Sequence, residues 1–326
     1  MRAIRRILVA VKDPKARSLP AVAKAAQLAR AFGAQIELFH SISSLLYVDA
    51  YGLGDGVMAI ERETVASRTA QLERVAARVR ERKVKVAVRT VWDYPVHEAI
   101  VRRARQFKAD LIVSERHAGL HIAPGLLRLT DWELLRWSPA PVLLVKRGGT
   151  YNRPVVLAAI DPGHAHAKPL RLDADILQAS EYFASVLHGS VHAVHAYIPI
   201  GVLPYSTVAV PAAQQLDAQA RAEAQRRLDT VLTKSPIRLK NRHLVAREPI
   251  FAIDQVARET HSSIVVMGAL SRSGLKRLFI GNTAEGVLDY LPSDLLILKP
   301  RSFVAKVQAK VRGVRYNVSP VLQGLY

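Results

Sequence analysis

The residues best placed by type and spacing to do chemistry lie late in the 326-residue chain. Gly268-Ala269-Leu270-Ser271-Arg272-Ser273-Gly274 follows an apolar run, and Gly281-Asn282-Thr283 opens a helical stretch. Two residues separate Gly268 from Ser271, and nine separate Ser271 from Gly281. Glycines let a backbone approach phosphate oxygens closely. The N–H groups and dipole of a helix start favour an anion there. Arg272, Lys276 and Arg277 add positive charge. A plainer reading competes: a glycine turn, then a helix capped by Asn282 or Thr283.

Other groups carry weaker signals. His164, His166, His188, His192 and His195 cluster in sequence, and neutral imidazoles bind Zn or Ni. On a strand His192 and His195 face opposite ways, and no third ligand is set by spacing, so no metal site is assigned. There is no Gly-x-Ser-x-Gly elbow and no P-loop, and Glu285 is the only acid near Gly281. No catalytic residue is assigned, and a non-enzymatic role is expected. Trp92, Trp132 and Trp137 are read as packing residues. The segment Ile198–Ala212 is too apolar for a free loop, which keeps a lipid-like ligand open.

The elements that must position these residues come in two copies. Ile7–Pro14 matches Val155–Pro162 at an offset of 148. Asp110–Ser114 matches Ser263–Met267, and Pro141–Lys146 matches Asp294–Lys299, both at 153. A period near 150 with two copies means duplicated domains. Each copy alternates short β-branched runs with amphipathic stretches, which predicts a parallel, doubly wound α/β sheet. The first copy has strands near 6–11, 35–40, 83–91, 110–114 and 142–146, with helices near 19–32, 59–82, 96–107 and 131–137. The second has strands near 155–160, 190–196, 238–245, 264–267 and 295–298, with helices near 172–187, 212–233, 250–260 and 283–290. The expected domains are 1–147 and 155–300, with a Gly- and Pro-bearing linker 148–154 and a basic tail 301–326. In such folds ligands bind at the carboxyl ends of strands, where strand order switches. That directs attention to Asp161, the residues after Ala196 and the loop after Met267.

A strand ending in Asp followed by a distal Gly-x2-Gly-x9-Gly-[Ser/Thr] loop resembles the universal stress protein family. The strings Gly281-Asn282-Thr283-Ala284-Glu285 and Thr130-Asp131-Trp132 resemble its tandem-domain type, over about residues 4–300. The resemblance implies two tandem Rossmann-like (adenine nucleotide alpha hydrolase-like) domains, each a five-stranded parallel sheet flanked by helices. It also implies a role in stress adaptation and a cytoplasmic location. Some members bind nucleotides, which keeps ATP or another adenine nucleotide, with Mg, open as a ligand of the second copy, and a weakly ATP-hydrolysing switch is the alternative to a non-catalytic binder. Asp161 would contact the base, with Ala196 beside it, and Gly268, Ser271, Gly281, Asn282 and Thr283 would hold ribose and phosphates. Ser271 departs from the motif, since Ser is disfavoured where φ is positive. The first copy departs further. Glu115 stands in the place of Gly268, and Arg128-Leu129-Thr130 replaces Gly281-Asn282-Thr283, so that copy is not expected to bind a nucleotide phosphate.

Composition bounds the rest. Forty-seven Lys+Arg against 27 Asp+Glu give a net charge of +20, which keeps nucleic acid open as a partner. Half the residues are hydrophobic, which excludes a wholly disordered chain. With no Cys, thiolate metal sites, Fe–S clusters and disulfides are excluded. No apolar run reaches membrane-spanning length, and Ile7–Val11 is too short for a signal peptide. In the tail, Phe303, Val307, Val311 and Val314 recur at helical spacing among Arg301, Lys306, Lys310, Arg312 and Arg315. The tail is expected to pack back on the body or stay disordered, with an anionic surface as the other option. The last strands of the two copies, Val142–Val145 and Leu295–Leu298, are expected to meet and form an intramolecular pseudo-dimer, since bare edges attract pairing.

Overall fold

The computed structural model of the chain describes residues 3–49, 55–116, 130–162, 171–199, 210–233, 235–269, 291–305 and 307–319. The chain forms two compact units. One is Ala3–Ala140 together with the C-terminal segment from Val304, and the other is Pro141–Phe303.

The first unit runs β1 (Arg6–Ala10), α1 (Pro20–Phe32), β2 (Gln35–Ile42), β3 (Leu45–Asp49), α2 (Asp55–Arg80), β4 (Val86–Trp92), α3 (Val96–Phe107), β5 (Leu111–Glu115) and α4 (Thr130–Trp137). Its main sheet has the order β4-β2-β1-β5, all parallel. Ile7, Leu8 and Val9 have no exposed surface, as a strand covered on both faces requires. Helix α1 starts on Pro20 and buries Ala21, Ala25, Leu28 and Ala29. It ends where Gly33 turns left-handed, at φ 66°, and donates its N–H to the Ala29 carbonyl. Edge strand β4 turns Ala87 and Arg89 to solvent, and Lys85 just ahead of it is also exposed, matching the alternation expected there.

The second unit opens with β6 (Val142–Val145). It continues with β7 (Val155–Ala159), α5 (Leu172–Val186), β8 (Ser190–Tyr197), α6 (Val210–Leu232), β9 (Arg242–Ala246), α7 (Pro249–Glu259), β10 (Ile264–Gly268) and β11 (Asp294–Leu298). Strand order is β6-β11-β10-β7-β8-β9. The second copy's own five strands are parallel. Strand β6 joins them antiparallel, with Leu144 opposite Leu295 and Val142 opposite Ile297. The two terminal strands of the copies therefore meet as their apolar sequences anticipate. The expected helix at 283–290 lies outside the described residues.

Leu239–Asn241, expected within the strand near 238–245, forms a 3-10 turn ahead of β9. Two strands were not anticipated, β3 and one in the tail. Strand β12 (Arg315–Ser319) pairs in parallel with β3 to make a separate two-stranded sheet in the first unit. The tail's helical spacing is also not realised among its described residues. Backbone pairing with β3 and capture of its carbonyls by arginines of α3 hold it extended.

The linker into the second copy is anchored by one carboxylate. Asp294 is fully buried and accepts hydrogen bonds from the N–H groups of Lys146 (2.8 Å) and Arg147 (3.2 Å) and from the Tyr151 hydroxyl (2.6 Å). Burial, then the adjoining carboxylate, push the Tyr151 phenol well above its usual range. Asp294→Ala strands these donors, so it should lower unfolding free energy by about 2–4 kcal/mol, read as the urea midpoint.

Candidate functional site

In the second copy β7 lies between β10 and β8, so the order switches at the β7/β10 junction. Ala159 is opposite Met267 on one side and Val194 on the other. The ladder continues past the strand, because the Ile160 N–H donates to the Val194 carbonyl at 3.0 Å. Counting on in register, Asp161 stands level with Ala196, and Gly268 level with Ile160. Asp161, Ala196 and Gly268 thus share the carboxyl edge of three adjacent strands. Ser271, Gly281, Asn282 and Thr283, with His164 and His166, lie outside the described residues.

Two local contacts shape that edge. The Asp161 N–H donates to Asp173 Oδ1 at 3.1 Å, which ties the end of β7 to the first turn of α5. A Cβ on Gly268 would stand 2.6 Å from Leu172 Cδ2 and 3.4 Å from Ile176 Cδ1. A side chain there would push Leu172 aside, so this glycine serves the close packing of α5 on β10 whatever ligand the edge accepts.

The first copy has the same ladder with different chemistry. Ala10 is opposite Ser114 and Phe39, and the Val11 N–H donates to the Phe39 carbonyl at 2.8 Å. Val11 is therefore the counterpart of Ile160, and the next residue, Lys12, is the counterpart of Asp161. The sequence match at offset 148 had placed Asp13 there; the strand register moves the match by one residue. Glu115 takes the level of Gly268, and its carboxylate accepts the Ala21 N–H at the start of α1. Burial lowers the Lys12 pKa, against the pull of Asp131 and Glu115. Burial also raises Glu115, against the pull of Lys12 and the Ala21 hydrogen bond. His40 and His195 are equivalent buried residues, and His40 Nδ1 donates to the Val11 carbonyl at 2.8 Å.

The histidines resolve differently from a metal cluster. His192 Nδ1 lies 2.9 Å from His243 Nε2, one ring donating and the other accepting. The ring planes differ by 13° and the centroids are 5.2 Å apart, the N···N distance plus about one ring radius at each end. The rings are thus nearly coplanar and meet end-on, lone pair to proton, with no room for an ion between them. No group of three or more His, Cys, Asp or Glu fit to hold a metal ion occurs among the described residues. His243 was missed because only parallel pairing of β8 with β9 brings it to His192. Trp92 Nε1 donates to the Ser44 carbonyl (3.2 Å) and Trp137 Nε1 to Glu133 Oε2 (2.7 Å), so both indoles serve packing within the first unit.

Two Rossmann-like copies, one bearing an Asp and a Gly at the switch point, define the class. The family model described as the universal stress protein family matches residues 3–146 and 155–299. The chain belongs to that family, in its tandem-domain form. It is 30% identical to universal stress protein E of Salmonella typhi over 314 residues, covering 92% of this chain and 96% of that one. It is 29% identical to universal stress protein E of Escherichia coli K12 over the same shares. The fold is similar to that of a protein of unknown function from Pseudomonas aeruginosa PAO1. That likeness has a TM-score of 0.71 at 24% identity, over 92% of this chain and 94% of the other.

Gly268→Ala should lower stability by about 1–3 kcal/mol, because Leu172 has to move, and urea unfolding reads that loss. His40, His97, His192 and His243 are all held below the usual imidazole range, chiefly by burial. The folded protein then binds fewer protons than the unfolded chain. The stability this confers is present above about pH 6.5 and is lost as pH falls through the folded values. The urea midpoint should drop between about pH 7 and about pH 5, and H192Q/H243Q should shrink the drop.

Proposed function

We propose that the second copy binds an adenine nucleotide at the carboxyl edge formed by β7, β8 and β10. In this reading the first copy takes no nucleotide phosphate. The observation that carries the proposal is the contrast at one structural level. The second copy offers Asp161 and Gly268 where the first offers Lys12 and Glu115. A carboxylate already seated on the Ala21 N–H at the start of α1 would repel an incoming phosphate there. Asp161 would hold the base, Ala196 would lie beside it, and the stretch from Gly268 to Thr283 would hold ribose and phosphates. Mg would enter with the nucleotide.

The protein is then a ligand-responsive member of its family, acting in stress adaptation in the cytoplasm through partners rather than by turnover. No helix among the described residues is long and apolar enough to cross a membrane. Mass spectrometry of the intact chain as purified identifies a retained ligand. An apolar molecule there would shift the site toward Ile198–Ala212, and nucleic acid would show as a steep salt dependence of binding.

Calorimetry of the intact chain with ATP and Mg should show one site per chain. Asp161→Ala should weaken it at least about tenfold, and Lys12→Ala should leave it unchanged. Two equivalent sites, or indifference to Asp161→Ala, would overturn the assignment. No phosphate release is expected.

A further inference from the structure

The C-terminal segment is held by the first unit in a way that resembles a bound peptide more than a packed tail. Its backbone is held at several points. Arg105 donates to the carbonyls of Val307 (3.0 Å) and Ala305 (2.5 Å), and Arg102 Nη1 donates to that of Gln308 (3.2 Å). Asp93 Oδ1 accepts the Arg312 N–H at 2.9 Å. From Arg315 onward the segment adds itself to β3 as a parallel strand. These contacts would serve any extended chain.

Among the described residues, polar side-chain recognition rests on two arginines three positions apart. Arg312 Nη2 donates to both oxygens of Glu98, at 2.8 and 3.0 Å. Its guanidinium also lies 5.8 Å from the Tyr94 ring centroid. Arg315 lies 4.7 Å from the same ring and donates to the Ser43 carbonyl at 3.2 Å. The receiving groups are organised independently of the tail. Arg102 and Asp93 form an ion pair at 2.7 Å with both side chains buried, and Arg102 also holds Glu98 at 3.0 Å.

Little apolar surface secures the segment. Ala305 and Val307 are buried, whereas Val304, Val311 and Tyr316 are 77%, 47% and 43% exposed. Its hold is therefore mainly hydrogen bonds and partly exposed charge, which exchange readily and weaken with salt.

We propose that the surface built by β3, Asp93–Glu98 and α3 is a peptide-binding site. It takes extended basic segments carrying two arginines three residues apart. The chain's own residues 304–319 are its resident, displaceable occupant. The proposal stands apart from the nucleotide reading and uses none of its residues.

The test keeps the chain whole. The probe is a labelled synthetic peptide with the sequence of residues 304–319. In the wild type the tethered segment competes at high effective concentration, so probe binding should be weak. R312A/R315A in the chain should raise amide exchange over residues 305–319 at least about tenfold and strengthen probe binding by a similar factor. Adding Glu98→Gln to that variant should abolish the gain, with amide protection of β1 and β7 unchanged as the control for folding. The proposal fails if the segment stays protected in R312A/R315A, if it is released without any gain in probe binding, or if the gain survives Glu98→Gln.

Discussion

Strands sealed on both faces impose the constraint on which the rest depends. Ile7, Leu8, Val9, Leu157, Ala158, Val265, Val266, Leu295 and Leu296 have no exposed surface. Each such Val, Leu or Ile side chain contributes on the order of 1.5–3 kcal/mol by leaving water. A strand buried on both faces has no room for chemistry along its length. Polar function is confined to the ends, and in parallel α/β sheets the loops at the carboxyl ends form the crevice. Asp161, Ala196, Lys12, Glu115, His40 and Asp93 all lie at or just beyond the carboxyl end of a strand.

Duplication fixes the frame and leaves its edge free to diverge. The two ladders superimpose level by level, so one copy can be read against the other. His40 and His195 are equivalent and both buried. Lys12 answers Asp161, and Glu115 answers Gly268. The second exchange is mechanical as well as electrostatic. Leu172 packs where a side chain on Gly268 would be, whereas Glu115 reaches the Ala21 N–H of α1. The first copy thus places a carboxylate on the start of α1 where the second has no side chain at all.

Charge in this protein is less a diffuse property than the +20 total suggests. Arginines are spent on named carboxylates and carbonyls: Arg103 on buried Glu37, Arg102 on Asp93 and Glu98, and Arg105 and Arg312 on the docking of the C-terminal segment. Arg suits this role because its fork can engage two acceptors at once. Arg89 on the edge strand β4 and Lys85 just ahead of it stay in solvent, where they discourage strand pairing with other chains.

Much of this was legible in the amino-acid order. Period-2 and period-3.6 patterning, the Gly33 stop and the repeat near 150 residues determine two α/β copies, because burial periodicity is a local property of the chain. The strand-end Asp161 and the glycine-bearing stretch from Gly268 mark the candidate edge for the same reason. Other features are set by pairing between distant segments, which no local pattern encodes. Only the register shows that Lys12, not Asp13, answers Asp161. Only the β8–β9 ladder brings His243 to His192. The tail was expected to pack back on the body or stay disordered, but its helical spacing gave no sign that it would dock extended on β3, Arg105 and Asp93. The sequence alone determined the two α/β copies and singled out the candidate edge. The tertiary structure alone decided which residues stand level at that edge, because strand register and chain-end docking depend on contacts made across long separations.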